Sequence, residues 1–581
     1  KSGNTQLEHP PNLRLRNVCQ HPRHFTAHSD PRPMPSICPP TPALSLAQTP
    51  LAVDEFARWK GKRPWGAPGS WGPVALALLV FGLVWLALLS FVSLSPPTDN
   101  IEQLTWVHSL EGGYYKHPPL PTWLLWIPAR LFGINALTSY AVGAACTLAS
   151  MAVMWRLLCQ MRGERYATIA LLAALCITYY NGRLYYYNHN VVLMVFVAAS
   201  AAVYWQAFRT GLTRWWVALG LAMGLGALAK YQIAVSVACI LAFWLHQRSW
   251  RVLSQRRGFL LATLVSMLVF TPHILWLRAH DFAPIQYATS SSLGVHLQGL
   301  PRWIDSTHWV VDQLLNRALP AWMLLGLTVV YLRRQAPHSQ ALPSTMPPEP
   351  DAASRVFLLI FGFGPLVFMF AMGLLTGAQL QLHWGTPFLL FAVPAVMELA
   401  GQRVVWRAVS MRRVTLTFAA LQVVLLLQDG LSSPRGPTVF QDGHWRTFDS
   451  VALAHAVEGP ARAELNGRIC VVSGPPAVVG ALALQLADRP RVLIDGRYDR
   501  SPWVSPSLVS QCGELVVREG PLLAGWTAAG PRFPALSWHA QPPESLPLKS
   551  FAQAPTRPSP AEKTLLRRLL PVPHARARAA G

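Results

Sequence analysis

Long uncharged apolar segments constrain this chain more than any motif in it. The first, Val74–Leu94, contains no Asp, Glu, Lys or Arg, and a helix needs roughly 20 such residues to cross a hydrocarbon core of about 30 Å. Further apolar segments follow at about 137–160, 166–181, 188–208, 214–229, 231–247, 258–277, 317–333, 355–376, 385–401 and 411–428. Several are short for a bilayer, and the pattern predicts about eleven spans. Composition agrees: 52% of residues are hydrophobic, 13% are charged and mean hydropathy is +0.28, the balance expected when most apolar side chains face lipid. The fold class read from sequence is mainly α, a polytopic helical membrane protein. The net charge of +23 does not point to nucleic acid, because the basic residues cluster between apolar segments, where they orient helices and meet anionic headgroups. Membrane lipids are expected partners and nucleic acid is not.

The same clusters set orientation. RWKGKR at 58–63 precedes the first span, so the N-terminus is expected in the cytoplasm and the loop at Asp99 outside. With 120–132 taken as an interfacial helix, alternation puts Arg162 and Arg165, Arg209 and Arg214, Arg248–Arg257, Arg333 and Arg334, and Arg403–Arg413 all inside. Counting 120–132 as a span would turn every later cluster outward, which argues against it. Residues 1–70, rich in Pro, His and Arg without a sustained apolar period, read as a disordered extension with no cleavable signal peptide.

Between the first two apolar segments lies TDNIEQLTWVHSLEGGYYKHPPLPTW, residues 98–123, within a first outer loop of 96–136. It is too polar to cross a bilayer and reads as a candidate catalytic loop, with Asp99, Glu102, Glu111, Lys116 and His117 beside a membrane. Asp99 and Glu102 are three residues apart and share a helix face, where they could jointly hold a proton or a cation. Pro118 and Pro119 force an extended stretch before the Trp-containing helix from Leu120 to Phe132. Alternation brings Arg183, Tyr185–His189, Lys230, the loop from Arg278 to Arg317, and Gln381–Trp384 to the same outer side. Each has a plain structural alternative: interfacial aromatics, helix caps, or a snorkelling lysine. Cys146, Cys159, Cys176 and Cys239 lie in apolar segments as small core residues, whereas Cys470 and Cys512 share a soluble region where a disulfide is possible if that region is extracytoplasmic.

Taken in order, these pieces resemble a family. Asp99, GYYKHPPLPTWLLW at 113–126, NHNVVL at 188–193, GLGALAKYQ at 224–232, TPHILWLRAHDF at 271–282 and LHWGTP at 382–387 are similar to the polyprenyl-phosphate-sugar-dependent C-type glycosyltransferases. The branch is that of protein O-mannosyltransferases, lipid A aminoarabinose transferases and core galacturonosyltransferase-like members, and the likeness covers about Val74–Leu427. The family has adjacent Asp and Glu in the first loop; here Asn100 follows Asp99, and Glu102 stands one turn on. The resemblance implies a sugar on a polyprenyl phosphate carrier, passed on the outer face to a lipid, glycan or protein acceptor. Asp99 would be the general base of a single inverting displacement, with Glu102 in the second acidic role. Lys116, His117 and Lys230 would meet the leaving phosphate, with Arg278 beside them. Tyr114, Asn188, His189, His383 and Trp384 would contact sugar or acceptor. No cofactor is expected; a divalent metal at Asp99 and Glu102 is conceivable, but two carboxylates make an incomplete site.

Beyond Gln428 the long apolar runs stop. RICVVSG at 468–474 and RVLIDG at 491–496 read as strands around a helix at 477–487, so residues 429–581 are expected to form a small extracytoplasmic α/β accessory domain with a flexible tail from Pro555, following a transmembrane domain at 71–428. SGPPAVVG lacks a Walker or dinucleotide pattern, which argues against nucleotide binding. Two other classes remain open. A transporter or lipid flippase would show internal symmetry and mid-membrane charges, and a non-catalytic assembly or sensor protein would tolerate loss of Asp99. The expected location is a bacterial inner membrane.

Overall fold

The computed structural model describes residues 71–335, 351–401, 404, 406–441 and 445–543, all within one compact unit, Pro50–Gly581. The extension expected over 1–70 and the tail from Pro555 lie outside the described residues.

The first helices are α1 (Trp71–Val92), α2 (Thr98–Trp106), α3 (Leu120–Phe132), α4 (Ala136–Arg162), α5 (Glu164–Ala174) and α6 (His189–Thr210). Then follow α7 (Thr213–Ala229), α8 (Ala234–His246), α9 (Leu253–Ala279), α10 (Ala283–Ser290), α11 (Gly299–Val311), α12 (Leu319–Gln335), α13 (Ala352–Thr376), α14 (Ala392–Ala400) and α15 (Met411–Leu431). Six of these, α1, α4, α6, α9, α13 and α15, are long and apolar enough to cross a membrane. A seventh span results if α11 and α12, bent by 53° at a π-helical break over Asp312–Arg317, are taken together. The count of about eleven is therefore not met by helix length. Segments expected at 166–181, 231–247 and 385–401 contain α-helices of only 11, 13 and 9 residues, and that at 214–229 one of 17. The reason is physical: a hydropathy pattern cannot separate residues facing lipid from residues buried in protein. Most of α5 is buried, whereas α9 exposes Leu260, Leu264, Met267 and Leu268.

Local chemistry sets where the helices near the loop begin and end. Asn135 caps α4 by accepting from Thr138 N–H, and Asn188 caps α6 by accepting from Asn190 and Val191 N–H. α3 starts with Pro121 in its first turn, where the missing N–H costs nothing. One face of α3, with Leu124, Ile127, Leu131 and Phe132, is exposed, while Leu125 and Ala129 are buried, as suits an amphipathic helix.

The last part is an α/β layer containing α16 (Ser450–Glu464), α17 (Pro476–Gln485) and α18 (Pro506–Cys512). Its strands are β1 (Val471–Gly474), β2 (Arg491–Ile494), β3 (Glu514–Glu519), β4 (Thr527–Ala528) and β5 (Leu536–Gln541), ordered β2-β1-β3-β5-β4. β1 is parallel to β2 and β3, whereas β5 runs antiparallel to β3 and β4. Buried Val471, Val472, Val492, Leu493 and Ile494 make the strand–helix–strand unit its apolar centre. Cys470 and Cys512 are joined in a disulfide.

Candidate active site

Asp99 sits in the first turn of α2, half-buried, and its Oδ2 accepts from Asn188 Nδ2 at 2.9 Å. The first loop is fixed against the bundle by Asn100, fully buried, whose Nδ2 donates to Ser139 Oγ at 3.0 Å and to the Tyr185 carbonyl at 2.9 Å while its Oδ1 accepts from Tyr187 N–H at 2.9 Å. The residue in the place of the family's second acid is thus a joint between α2, α4 and the segment before α6. A carboxylate there would have no N–H to give these two acceptors.

Lys230 breaks the run between α7 and α8, and its Nζ donates to Asn190 Oδ1 at 2.7 Å and lies 5.3 Å above the Trp384 ring. His383, next to Trp384, feels the charges of Asp99, Lys230 and Arg183. Burial, with Lys230 and Arg183 reinforcing it and Asp99 opposing it, pushes its imidazole down to about 4. Arg183 packs between two rings, its guanidinium 5.7 Å from Tyr179 and 5.6 Å from Tyr186. One cluster therefore holds a carboxylate, a guanidinium, a lysine whose ammonium burial pushes down to about 7 against the pull of Asp99, an uncharged imidazole and a tryptophan face.

A second cluster adjoins it. Lys116 Nζ donates to Glu102 Oε2 at 2.5 Å and lies over the Tyr115 and Tyr287 rings, the latter on α10. Burial pushes the Glu102 carboxyl up, the Lys116 ammonium opposes the shift, and nearby Asp99 adds to it. For Lys116 burial disfavours the charge, but the Glu102 carboxylate together with the oxygens of Tyr115 and Tyr287 outweighs it, and the ammonium is held protonated above its ordinary value. The His117 and His189 rings lie 3.9 Å apart. Burial and the neighbouring His189, Lys230 and Lys116 hold His117 well below the usual histidine range. At neutral pH it is an uncharged hydrogen-bonding group, not the cation expected for phosphate.

Tyr114 and Arg278 are placed elsewhere. Tyr114 is buried, stacked on Trp106 with ring centroids 4.6 Å apart, its hydroxyl donating to the Ser109 carbonyl. Arg278 is exposed in the last turn of α9. That helix reaches the loop through His273 instead, which bonds the Gly112 carbonyl at 2.7 Å and the Tyr231 hydroxyl at 2.8 Å. A Cβ at Gly113 would lie 2.5 Å from the Trp276 ring, so the Gly112–Gly113 pair is what lets the loop lie on α9. Asn190 and His273 were not among the expected site residues. Both stand inside the quoted motifs, Asn190 two residues beyond the Asn188 cap. Among the described residues no three His, Cys, Asp or Glu side chains group as metal ligands.

Comparison with known proteins bears out the resemblance. A family model described as dolichyl-phosphate-mannose-protein mannosyltransferase matches residues 116–276. The chain is 25% identical over 236 residues to lipid A galacturonosyltransferase RgtD of Rhizobium johnstonii, covering 38% of this chain and 48% of that protein. It is 27% identical over 326 residues to the undecaprenyl phosphate-alpha-4-amino-4-deoxy-L-arabinose arabinosyl transferase of Pseudomonas aeruginosa, covering 51% and 54%. The match thus spans about half the length of these curated relatives. The crystal structure of ArnT from Cupriavidus metallidurans bound to undecaprenyl phosphate shares the fold, with a TM-score of 0.53 at 16% identity over 81% of this chain and 98% of that one.

Proposed function

We propose that the chain is an integral membrane glycosyltransferase that moves a sugar from a polyprenyl-phosphate donor to an acceptor on the outer face of the cytoplasmic membrane. The observation that carries this reading is the convergence of Asp99, held by Asn188, with Lys230, held by Asn190, beside His383 and Trp384. The two matched curated proteins bear names of lipid A or polyprenyl-phosphate sugar transferases, which favours a lipid acceptor. A disulfide between Cys470 and Cys512 supports an extracytoplasmic C-terminal domain and, by alternation, a cytoplasmic N-terminus.

Asp99 accepts the proton of an acceptor hydroxyl as that oxygen attacks the anomeric carbon. The bond from this carbon to the carrier phosphate breaks on the opposite side, the electron pair leaves with phosphate, and the configuration inverts. Lys230 and Lys116 supply charge where the leaving phosphate gathers it. Glu102 holds Lys116 in place and keeps it charged, and Trp384 offers the sugar an apolar face. No metal is assigned to the site.

Transfer of labelled sugar from a panel of polyprenyl-phosphate donors tests this. Asp99→Asn should lower the rate roughly 10²- to 10⁴-fold in protein that still inserts and folds, and Lys230→Ala should lower it as well. Parent protein that consumes no donor, or Asp99→Asn that transfers like the parent, would overturn the proposal.

A further inference from the structure

The helix that carries Asp99 is bonded to the bundle on one side and packs against the α/β domain on the other. Just before α2, Leu94 N–H donates to the Arg446 carbonyl at 3.0 Å and Trp445 Nε1 donates to the Pro96 carbonyl at 2.9 Å. Along α2, Gly480 of α17 faces Ile101 so closely that a Cβ on it would lie 2.4 Å from Ile101 Cγ2. At the end of α2, Trp106, stacked on Tyr114, is buried in the same apolar cluster as Val478, Leu482 and Trp538 of the domain. At the rim, the Arg500 guanidinium lies 5.1 Å from the ring of Tyr115, next to Lys116.

We infer that the α/β domain sets the position of Asp99, with Gly480 of the domain and Trp106 of α2 as the positioning residues, an inference that rests on the transferase reading above. Asp99 and Ile101 share one short helix of nine residues, and short helices take their stability from what packs on them. A shift of α2 away from α17 moves the carboxylate relative to Asn188, and displacement of a reacting group by about 1 Å can cost on the order of 100-fold in rate. Ile101 is β-branched and stiff, so it cannot turn aside to admit a methyl group at Gly480. The domain thereby acts on the chemistry without touching sugar or phosphate.

Gly480→Ala, Ile101→Ala and the double variant of the full chain test this. Gly480→Ala should lower kcat roughly 10- to 100-fold with donor KM nearly unchanged. The double variant, in which Ile101 Cγ2 is gone, should recover most of that loss relative to Ile101→Ala alone. Hydrogen exchange across 98–106, which reads the clamp without any activity, should quicken in Gly480→Ala and slow again in the double variant. Unchanged kcat and exchange in Gly480→Ala overturn the inference, as does lost activity in well-folded protein that removal of Cγ2 fails to restore. Parent protein that transfers no sugar but shows the exchange pattern would sink the transferase reading and leave the clamp standing as a purely structural one.

Discussion

Asn188 serves Asp99 and the start of α6 with one side chain: Nδ2 donates to Asp99 Oδ2 at 2.9 Å, and Oδ1 accepts from the N–H groups of Asn190 and Val191, each at 3.0 Å. The helix cap fixes the amide, and the amide fixes the carboxylate. The two roles separate by substitution. Asn188→Asp keeps a capping oxygen but sets a second carboxylate against Asp99, so it should fold about as well as the parent and lose most activity. Asn188→Ala should lose activity and also about 1 kcal/mol of stability from the missing cap. Thermal midpoints and transfer rates measured on both variants check this; equal stability losses would mean that the cap is not what Asn188 contributes.

His383 gives the protein a predictable acid sensitivity. Its folded value of about 4 lies below the ordinary 6.5, so the unfolded chain binds this proton more readily. The associated stability is fully present above about 6.5 and is lost as pH falls toward 4. Thermal midpoints at pH 7 and pH 5 should therefore differ more in the parent than in His383→Gln. An equal drop in both would show that the imidazole is solvated and ordinary.

Much of this arrangement is legible in the sequence because it rests on local pattern. The cap at Asn188, the strand–helix–strand unit at 471–494 and the helix at 120–132 all follow from period, caps and proline placement. What the sequence hides is burial. His117 reads as a cation but lies among His189, Lys230 and Lys116, where a further charge is unfavourable. Tyr114 reads as a sugar platform but packs on Trp106 under the α/β domain, a contact made by residues hundreds of positions away. Helix length among the described residues gives six or seven spans and does not confirm about eleven, and most of α5 is buried in protein.

The Cys470–Cys512 disulfide ties the residue before β1 to the end of α18 across a sequence separation of 42. Closing a loop of this length restricts the unfolded chain by up to roughly 4 kcal/mol in the chain-entropy account. Cys470→Ser with Cys512→Ser should make residues 450–541 more sensitive to protease. If the domain positions Asp99, transfer should also become more heat-labile. Undiminished protease resistance would mean that the apolar centre of Val471, Val472, Leu493 and Ile494 suffices alone.

Arg183 is the cation whose role the pairing pattern leaves open. Glu102 neutralises Lys116, and Asp312 neutralises Arg317, whose guanidinium lies 5.4 Å from the Tyr179 ring. Arg183 also packs on Tyr179 but pairs with no carboxylate among the described residues, so it adds a positive charge to a cluster in which burial pushes the Lys230 ammonium down to about 7. A donor phosphodiester carries one negative charge, whereas the released carrier phosphate gathers a second. An additional cation is therefore worth more as the bond breaks than when the donor first binds. Arg183→Gln should lower kcat roughly 10- to 100-fold with a smaller change in donor KM, and should weaken inhibition by added polyprenyl phosphate. A rise in KM at constant kcat would instead assign Arg183 to holding the donor in its ground state.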